Sequence, residues 1–192
     1  MTARVRLFAA VRVPDEHQRV VDEAVAPLRA RVAGARWTPP ESRHVTVKFV
    51  GYLDAGLVDD ALAAVASCAR RQGASDVRLS ELGAFPGPRR ARVLWAGLDD
   101  PDSLLARLAA DLDDAFEPLG VEPERRAFTP HLTLARFREP ARLDGMLPVL
   151  PRAGLPPFRV ADVELFRSHL SPRGARYESL ARVPLVSCGD GA

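Results

Sequence analysis

The sequence carries one short pattern twice: Arg43-His44-Val45-Thr46-Val47-Lys48-Phe49 and Pro130-His131-Leu132-Thr133-Leu134-Ala135-Arg136-Phe137. Each copy sets a histidine and a threonine two positions apart, with an apolar residue after each. This alternation predicts a half-buried β-strand, in which successive side chains point to opposite faces. We therefore expect each histidine to share a face with its threonine, while the apolar residues point into a core. The chain has only four histidines, so the repetition indicates a site built from two imidazoles and two hydroxyls on rigid strands.

Other regular elements are predicted around both motif strands. Apolar spacing predicts amphipathic helices over residues 14–32, 55–72 and 101–119, and a shorter helix over 141–150. Pro27 is expected to kink or shorten the first helix, and His17 in its first turn is expected at the surface. The motif strands are predicted to end near residue 51 and to span 128–137. Further strands are predicted over residues 5–13, 76–85, 92–98, 158–170 and 177–185, with a turn at 171–174.

Both halves of the chain thus contain a motif strand, flanking strands and an amphipathic helix that precedes the motif. This arrangement favours an internal duplication with an α+β fold: two pseudo-symmetric lobes whose antiparallel sheets face each other across a cleft, with helices outside. No linker rich in glycine or serine separates the halves. We therefore expect one bilobed domain over residues 1–186 and a flexible tail over 187–192.

Composition limits the possible classes of function. A formal net charge of +2 gives no general polybasic surface for nucleic acid. No apolar run is long enough for a membrane span, and no signal peptide is evident. Cys68 and Cys188 lie in no metal-binding or redox spacing, which favours a cytoplasmic location. Three arginines occupy the predicted turn before the strand at 92–98, where they could form a solvated tip or contact an RNA backbone: Arg89, Arg90 and Arg92.

The doubled His-x-Thr-x pattern resembles the signature of the 2H phosphoesterases, and most closely that of their RNA 2′,3′-cyclic phosphodiesterase branch, once called 2′-5′ RNA ligases. The resemblance covers nearly the whole chain. It includes the segments Arg6-Leu7-Phe8-Ala9-Ala10, Phe49-Val50-Gly51, Val93-Leu94-Trp95-Ala96-Gly97, Leu165-Phe166-Arg167-Ser168 and Gly174-Ala175-Arg176-Tyr177. It implies the bilobed fold and hydrolysis of a cyclic phosphate at an RNA end to a 2′-phosphomonoester.

The site residues suit this chemistry. Two histidines with an ordinary pKa near 6.5 can act as acid and base on either side of a phosphorus atom, one protonated and one neutral. The hydroxyls of Thr46 and Thr133 can donate hydrogen bonds to phosphate oxygens. The resemblance further implies that His44 is the proton donor and His131 the proton acceptor. It also implies that Arg136 binds the phosphate, although strict alternation would turn Arg136 away from His131 unless the strand twists or bulges.

Other functions remain open at this point. The enzyme could act on a small cyclic phosphate or a nucleotide, or the chain could be a binding module for nucleotides or RNA without turnover. No metal-ligand spacing and no phosphate-binding glycine loop is evident, so neither a metal nor ATP is expected. We expect a monomer that binds RNA ends or nucleotides carrying a 2′,3′-cyclic phosphate. His169 is expected to have a structural or surface role. Phe8, Phe49 and Trp95 are expected mostly in the core, although one aromatic residue at the rim of the cleft could stack on a base.

Overall fold

A computed structural model describes residues 3–150, 155–171 and 174–187. Nine strands and three α-helices lie within these ranges. The strands are β1 (Arg4–Val11), β2 (Ala35–Trp37), β3 (Val45–Asp54), β4 (Ser75–Phe85), β5 (Ala91–Asp99), β6 (His131–Ala141), β7 (Phe158–Val160), β8 (Asp162–Ser171) and β9 (Gly174–Pro184). The helices are α1 (Asp15–Arg31), α2 (Val58–Ala69) and α3 (Leu104–Phe116).

The expected α+β fold with two related halves is confirmed. The strands form one curled antiparallel sheet in the order β7-β4-β5-β6-β3-β1-β8-β9, and β2 pairs with β6. The motif strands β3 and β6 are neighbours at the centre. Outward from them, the order β3-β1-β8-β9 in one half corresponds to β6-β5-β4-β7 in the other. Helix α1 follows β1 and helix α3 follows β5, so each precedes the motif strand of its half.

The two motif strands share a local irregularity as well as a sequence pattern. Where β3 pairs with β1, Val47 has no partner residue, and where β6 pairs with β5, Leu134 has none. In each strand the bulge leaves two consecutive buried residues, Val47 with Lys48 and Leu134 with Ala135. A bulge of this kind shifts the alternation of side chains by one position. Phe49 and Arg136, which follow the two buried pairs, therefore lie on the same face as the histidine and threonine of their own strand.

The helices bury apolar stripes against the sheet. Helix α3 packs on β3, and helix α2 packs on α3, β8 and β9. Asp100 receives hydrogen bonds from the backbone N–H groups of Leu104 and Leu105, each at 2.8 Å, and so satisfies the open N-terminus of α3. Within the described part of the chain, none of the helices combines the length and the apolar character that a membrane span requires.

Several expectations about individual segments were wrong. His17 is buried, with 1% of its surface exposed, because the first turn of α1 packs on β7, where its ring lies 4.8 Å from that of Phe158. Residues 142–150 contain turns and irregular backbone instead of a helix. Pro27 does not shorten α1, which continues to Arg31. Strand β6 begins at His131, three residues later than expected. Most of the expected tail, residues 188–192, and the centre of the 171–174 turn lie outside the described residues.

Candidate active site

The two motifs meet at the centre of the sheet. Val45 of β3 pairs with Leu132 of β6 in antiparallel register. Continuing this register by one residue in each direction brings the histidine of one motif opposite the threonine of the other. The resulting pairs are His44 with Thr133 and Thr46 with His131. All four of these residues are half-buried, whereas Val45 and Leu132 are fully buried on the opposite face, as the alternation predicted.

His44 is enclosed by aromatic rings. Phe8 of β1 stacks on its imidazole with 4.6 Å between ring centroids and 26° between ring planes. Tyr177 of β9 meets it edge-on at 5.1 Å, and Phe166 of β8 lies parallel at 6.0 Å. The backbone of Ser42 makes a hydrogen bond with the imidazole. Strands from both ends of the chain therefore hold this ring in one orientation.

His131 has a different environment in the other half. Its Nδ1 lies 2.8 Å from the carbonyl oxygen of Thr129, a contact in which the imidazole must donate. This hydrogen bond leaves Nε2 with its lone pair. Phe85 meets the ring edge-on at 5.1 Å and Trp95 at 6.4 Å. Trp95 lies directly over Gly83, since a Cβ atom there would come within 2.2 Å of the indole.

Burial lowers the pKa of both imidazoles. The pKa of His44 is lowered to about 4: desolvation is the main cause, the positive charges of Arg12 and Arg136 add to it, and the hydrogen bond with the backbone of Ser42 opposes it. The pKa of His131 is lowered by desolvation and by Arg136, against a hydrogen bond to Thr129 that raises it. Both rings are therefore neutral near pH 7 in the empty site. The expected division into one charged and one neutral histidine does not hold there.

Arg136 lies on the same face as His131 because of the bulge in β6. Its side chain is exposed, and its charge acts on the pKa values of both histidines. Strict alternation would have turned Arg136 away from His131 unless the strand twisted or bulged, and the strand does bulge before Arg136. The equivalent position in β3 is Phe49, which is 52% exposed and lines the cleft, so among the three aromatic residues expected mostly in the core it is the one at the rim. Phe8, by contrast, is buried and Trp95 is half-buried.

An open cleft of 1570 Å³ adjoins the second motif and the central strands. Thr46, His131 and Arg136 contribute to its lining, and Phe49 and Phe85 form part of its walls. Four arginines stand on the lining: Arg92, Arg125, Arg126 and Arg136. Of the turn that the sequence singled out, Arg92 alone contributes to this lining, and Arg89 and Arg90 are exposed on a short 3-10 turn.

One wall of the cleft is anchored by a buried ion pair that the sequence did not reveal. Lys48 is 4% exposed, and its Nζ contacts the carboxylate of Asp113 on α3 and lies 3.2 Å from the carbonyl oxygen of Glu122. Asp113 also accepts a hydrogen bond of 3.2 Å from the backbone N–H of Glu124. The loop between α3 and β6, which carries Arg125 into the cleft, is therefore fixed to motif strand β3.

A buried carboxylate lies on the side of His44. Glu164, 4% exposed, accepts a 2.9 Å hydrogen bond from Nε of Arg12 and another of 2.9 Å from the hydroxyl of Ser179. These contacts hold the pKa of Glu164 below its usual range, although burial acts in the other direction and more strongly than any single contact. Arg12 also covers the ring of Phe166 at 5.0 Å. A cation is thereby fixed beside the first histidine.

The remaining candidates lie apart from this site. His169 on β8 is 2.7 Å from a carboxylate oxygen of Glu178 on β9, so its imidazole belongs to a hydrogen-bonded pair away from the site. Among residues 3–150, 155–171 and 174–187, no group of three or more His, Cys, Asp or Glu side chains could hold a metal ion. Cys68 is buried and unpaired, and Cys188 lies outside the described residues.

Comparisons with known proteins bear on the family and the fold. The model of the 2′-5′ RNA ligase superfamily matches residues 13–171. An RNA 2′,3′-cyclic phosphodiesterase of Methanothermobacter thermautotrophicus is 30% identical over 180 residues, which cover 92% of this chain and 97% of that protein. One of Thermus thermophilus is 34% identical over 187 residues, covering 94% and 90%. A crystal structure of a Thermus thermophilus protein superposes with a TM-score of 0.79 at 31% identity, covering 96% and 100%.

Proposed function

This chain belongs to the 2′-5′ RNA ligase superfamily, and we propose that it hydrolyses the 2′,3′-cyclic phosphate at RNA ends to a 2′-phosphomonoester without a metal ion. The observation that carries the proposal is the pairing of Val45 with Leu132, which sets two His–Thr pairs side by side, with Thr46 and His131 lining a large cleft. Its relatives named RNA 2′,3′-cyclic phosphodiesterase support the choice of substrate.

The two histidines divide the proton transfers. Water attacks phosphorus in line while the bond to the 3′ oxygen breaks. His131 accepts the proton of the water through Nε2, since Nδ1 is already committed to Thr129. His44 gives a proton to the departing 3′ oxygen. The product then has a 2′-phosphate and a 3′-hydroxyl, and solvent returns each histidine to its starting state.

The other three residues stabilise charge on the phosphate. The hydroxyls of Thr46 and Thr133 donate to its non-bridging oxygens, on which negative charge grows in the transition state. The guanidinium of Arg136 presents two parallel donors to the same oxygens. All three are held on the central strands, so little motion is needed to complete the site.

Substrate binding changes the protonation of the two histidines, which are both neutral in the empty site near pH 7. A phosphate anion between the imidazoles favours the protonated form of each and raises both pKa values from their lowered positions in the empty protein. The aromatic enclosure of His44 keeps the local dielectric low, which strengthens its attraction to the anion. His44 thus becomes protonated together with substrate binding.

The test is incubation of the protein with an oligonucleotide that ends in a 2′,3′-cyclic phosphate, in excess EDTA and without ATP. We expect the cyclic end to be converted to a 2′-phosphomonoester, identified by ³¹P NMR. Loss of turnover on chelation, restored by one divalent metal, would contradict the mechanism. Turnover of cyclic mononucleotides alone would indicate a small-molecule enzyme. Binding without hydrolysis in either case would indicate a nucleotide-binding module.

A further inference from the structure

Four residues on β1 and β3 form a surface that the hydrolysis does not require. This aromatic–arginine strip consists of Arg4, Arg6, Phe49 and Tyr52. Strands β1 and β3 pair in this region, with Arg6 opposite Tyr52 and Phe8 opposite Phe49. Phe49 is 52% and Tyr52 55% exposed, and both line the cleft that contains His131. Large rings left open to solvent in this way need a reason, because their burial is normally favourable.

Each ring of the strip is covered on one side by a guanidinium group. The Cζ atom of Arg6 lies 4.7 Å from the centroid of Phe49, and that of Arg4 lies 5.9 Å from the centroid of Tyr52. Both arginines are themselves anchored, Arg6 to the hydroxyl of Ser168 at 2.9 Å and Arg4 to the carbonyl oxygen of Tyr52 at 2.5 Å. The rings are therefore held in place from one side, and about half of each residue's surface remains accessible.

The rest of the cleft is suited to a polyanion. Arg92, Arg125 and Arg126 stand among its lining residues, and the loop that bears the last two is fixed by the ion pair of Lys48 and Asp113. The cleft volume of 1570 Å³ exceeds the roughly 300–1,000 Å³ of a typical small-molecule pocket. There is thus room for more than the terminal nucleotide. Aromatic faces next to a cationic groove are the means by which proteins bind single-stranded nucleic acid regardless of sequence.

We propose that the strip stacks the bases of the nucleotides that precede the cyclic end, so that this protein selects oligonucleotides over mononucleotides. The inference rests on the proposed function, since the hydrolytic site fixes where the strand ends. Phe49, five residues after His44, adjoins the terminal nucleotide, and Tyr52 lies three residues further along β3. Stacking on Tyr52 alone should increase kcat/KM by about tenfold, the lower part of the range for one base on one ring.

Kinetics with three substrates test this assignment: a 2′,3′-cyclic mononucleotide, a trinucleotide with the same end, and that trinucleotide without bases at its first two positions. Tyr52→Ala should lower kcat/KM about tenfold on the intact trinucleotide and leave the other two substrates unaffected. Tyr52→Phe, which keeps the ring, should behave as the parent protein. Val149→Ala is the matched control, because Val149 is 88% exposed and does not line the cleft. An equal effect on all three substrates, or none on the trinucleotide, would overturn the proposal.

A binding measurement separates this proposal from the hydrolytic one. The fluorescence anisotropy of a labelled trinucleotide with a 2′-phosphate end reports on the strip without any turnover. We expect Tyr52→Ala to weaken its binding about tenfold and Tyr52→Phe to preserve it, with the melting temperature measured in parallel. If the variant weakens binding while the parent hydrolyses nothing, the strip stands and the proposed hydrolysis fails. If the parent protein hydrolyses the cyclic end and the variant binds as tightly as the parent, the proposed hydrolysis stands and the proposal for the strip fails.

Discussion

The two halves of the site have a similar strand backbone and differ in the side chains around their histidines. Both motif strands place a histidine, a threonine and, after a bulge, a third side chain on one face. In the first half the third residue is Phe49 and three aromatic rings surround His44. In the second half the third residue is Arg136, and His131 lies in the open cleft. The two strands thus provide equivalent positions, which enclose one histidine among aromatic rings and place an arginine on the strand of the other.

This difference bears directly on the division of labour. An apolar enclosure keeps a histidine neutral until an anion arrives, which suits a group that must carry its proton only with substrate present. The open side of the cleft, in contrast, gives water access to His131. The following experiments change one half at a time and compare the result with the same change in the other.

The largest effects are expected from removing the histidines. His44→Ala and His131→Ala should each reduce kcat/KM by about 10²–10⁴-fold, the usual contribution of a general acid or base. A substrate with sulfur in place of the 3′ oxygen separates their roles, because a thiolate leaves without protonation. On that substrate His44→Ala should recover much of its lost rate, while His131→Ala should remain slow. Recovery in His131→Ala instead would reverse the assignment, and equal recovery would leave only charge stabilisation.

The next effect concerns the third position of each half. Arg136→Lys keeps the charge but loses the planar pair of donors, so we expect kcat/KM to fall by roughly 10–10²-fold. Arg138→Lys, on the same strand and absent from the cleft lining, serves as the control and should have no effect. Phe49→Leu should change the rate far less than Arg136→Lys. Parent kinetics in Arg136→Lys would mean that Arg136 does not bind the reacting phosphate.

Smaller effects are expected from the two hydroxyls. Thr46→Val and Thr133→Val preserve shape and remove one neutral donor each, which should slow turnover by roughly tenfold. Thr→Ser at the same positions restores the hydroxyl and should restore the rate. Similar losses at both positions would support a phosphate placed symmetrically between the halves. A loss confined to one position would mean that the other threonine only fills space on its strand.

Much of this site could be predicted from sequence because strand alternation is a local property. The pattern fixed the shared face of His44 and Thr46, and it identified the bulge that Arg136 would need. The aromatic enclosure of His44 could not be predicted in the same way. Its rings come from β1 and from the hairpin of β8 and β9, which lie at opposite ends of the chain, and alternation does not reveal which strands become neighbours.

Errors in the predicted elements have a similar cause. His17 was expected at the surface because the first turn of a helix is usually exposed, yet a strand formed some 140 residues later covers it. The segment over residues 142–150 was expected to be a short helix, but Leu143 and Leu150 are buried in the core and the backbone N–H of Leu143 donates to the carbonyl oxygen of Pro88 at 2.7 Å, so contacts with distant residues hold irregular backbone here. In both places tertiary contacts decided the outcome, and local propensity did not.

The smallest expected effects concern pH, and they compare the two enclosures most directly. Because the pKa of His44 is about 4 and that of His131 is also lowered, protons bind to the pair in the empty protein only on the acid side of pH 6.5. The profile of kcat/KM against pH should therefore be bell-shaped, with its maximum on the acid side of 6.5. The profile of kcat should lie at higher pH, since bound phosphate raises both pKa values. A common maximum near pH 8 in both profiles would contradict this account.

A matched pair of variants tests which aromatic ring keeps the pKa of each histidine low. Tyr177 meets His44 edge-on at 5.1 Å, and Phe85 meets His131 in the same way at the same distance. Replacing either ring by alanine admits water to one imidazole only, and because desolvation is the main cause of the low values, that pKa should rise towards 6.5. NMR titration of the histidine C–H protons measures both groups in one sample. Tyr177→Ala should raise the pKa of His44 and leave that of His131 unchanged, and Phe85→Ala should do the opposite. If instead both values move together in either variant, the two imidazoles share one environment and the halves do not differ in the way their residues suggest.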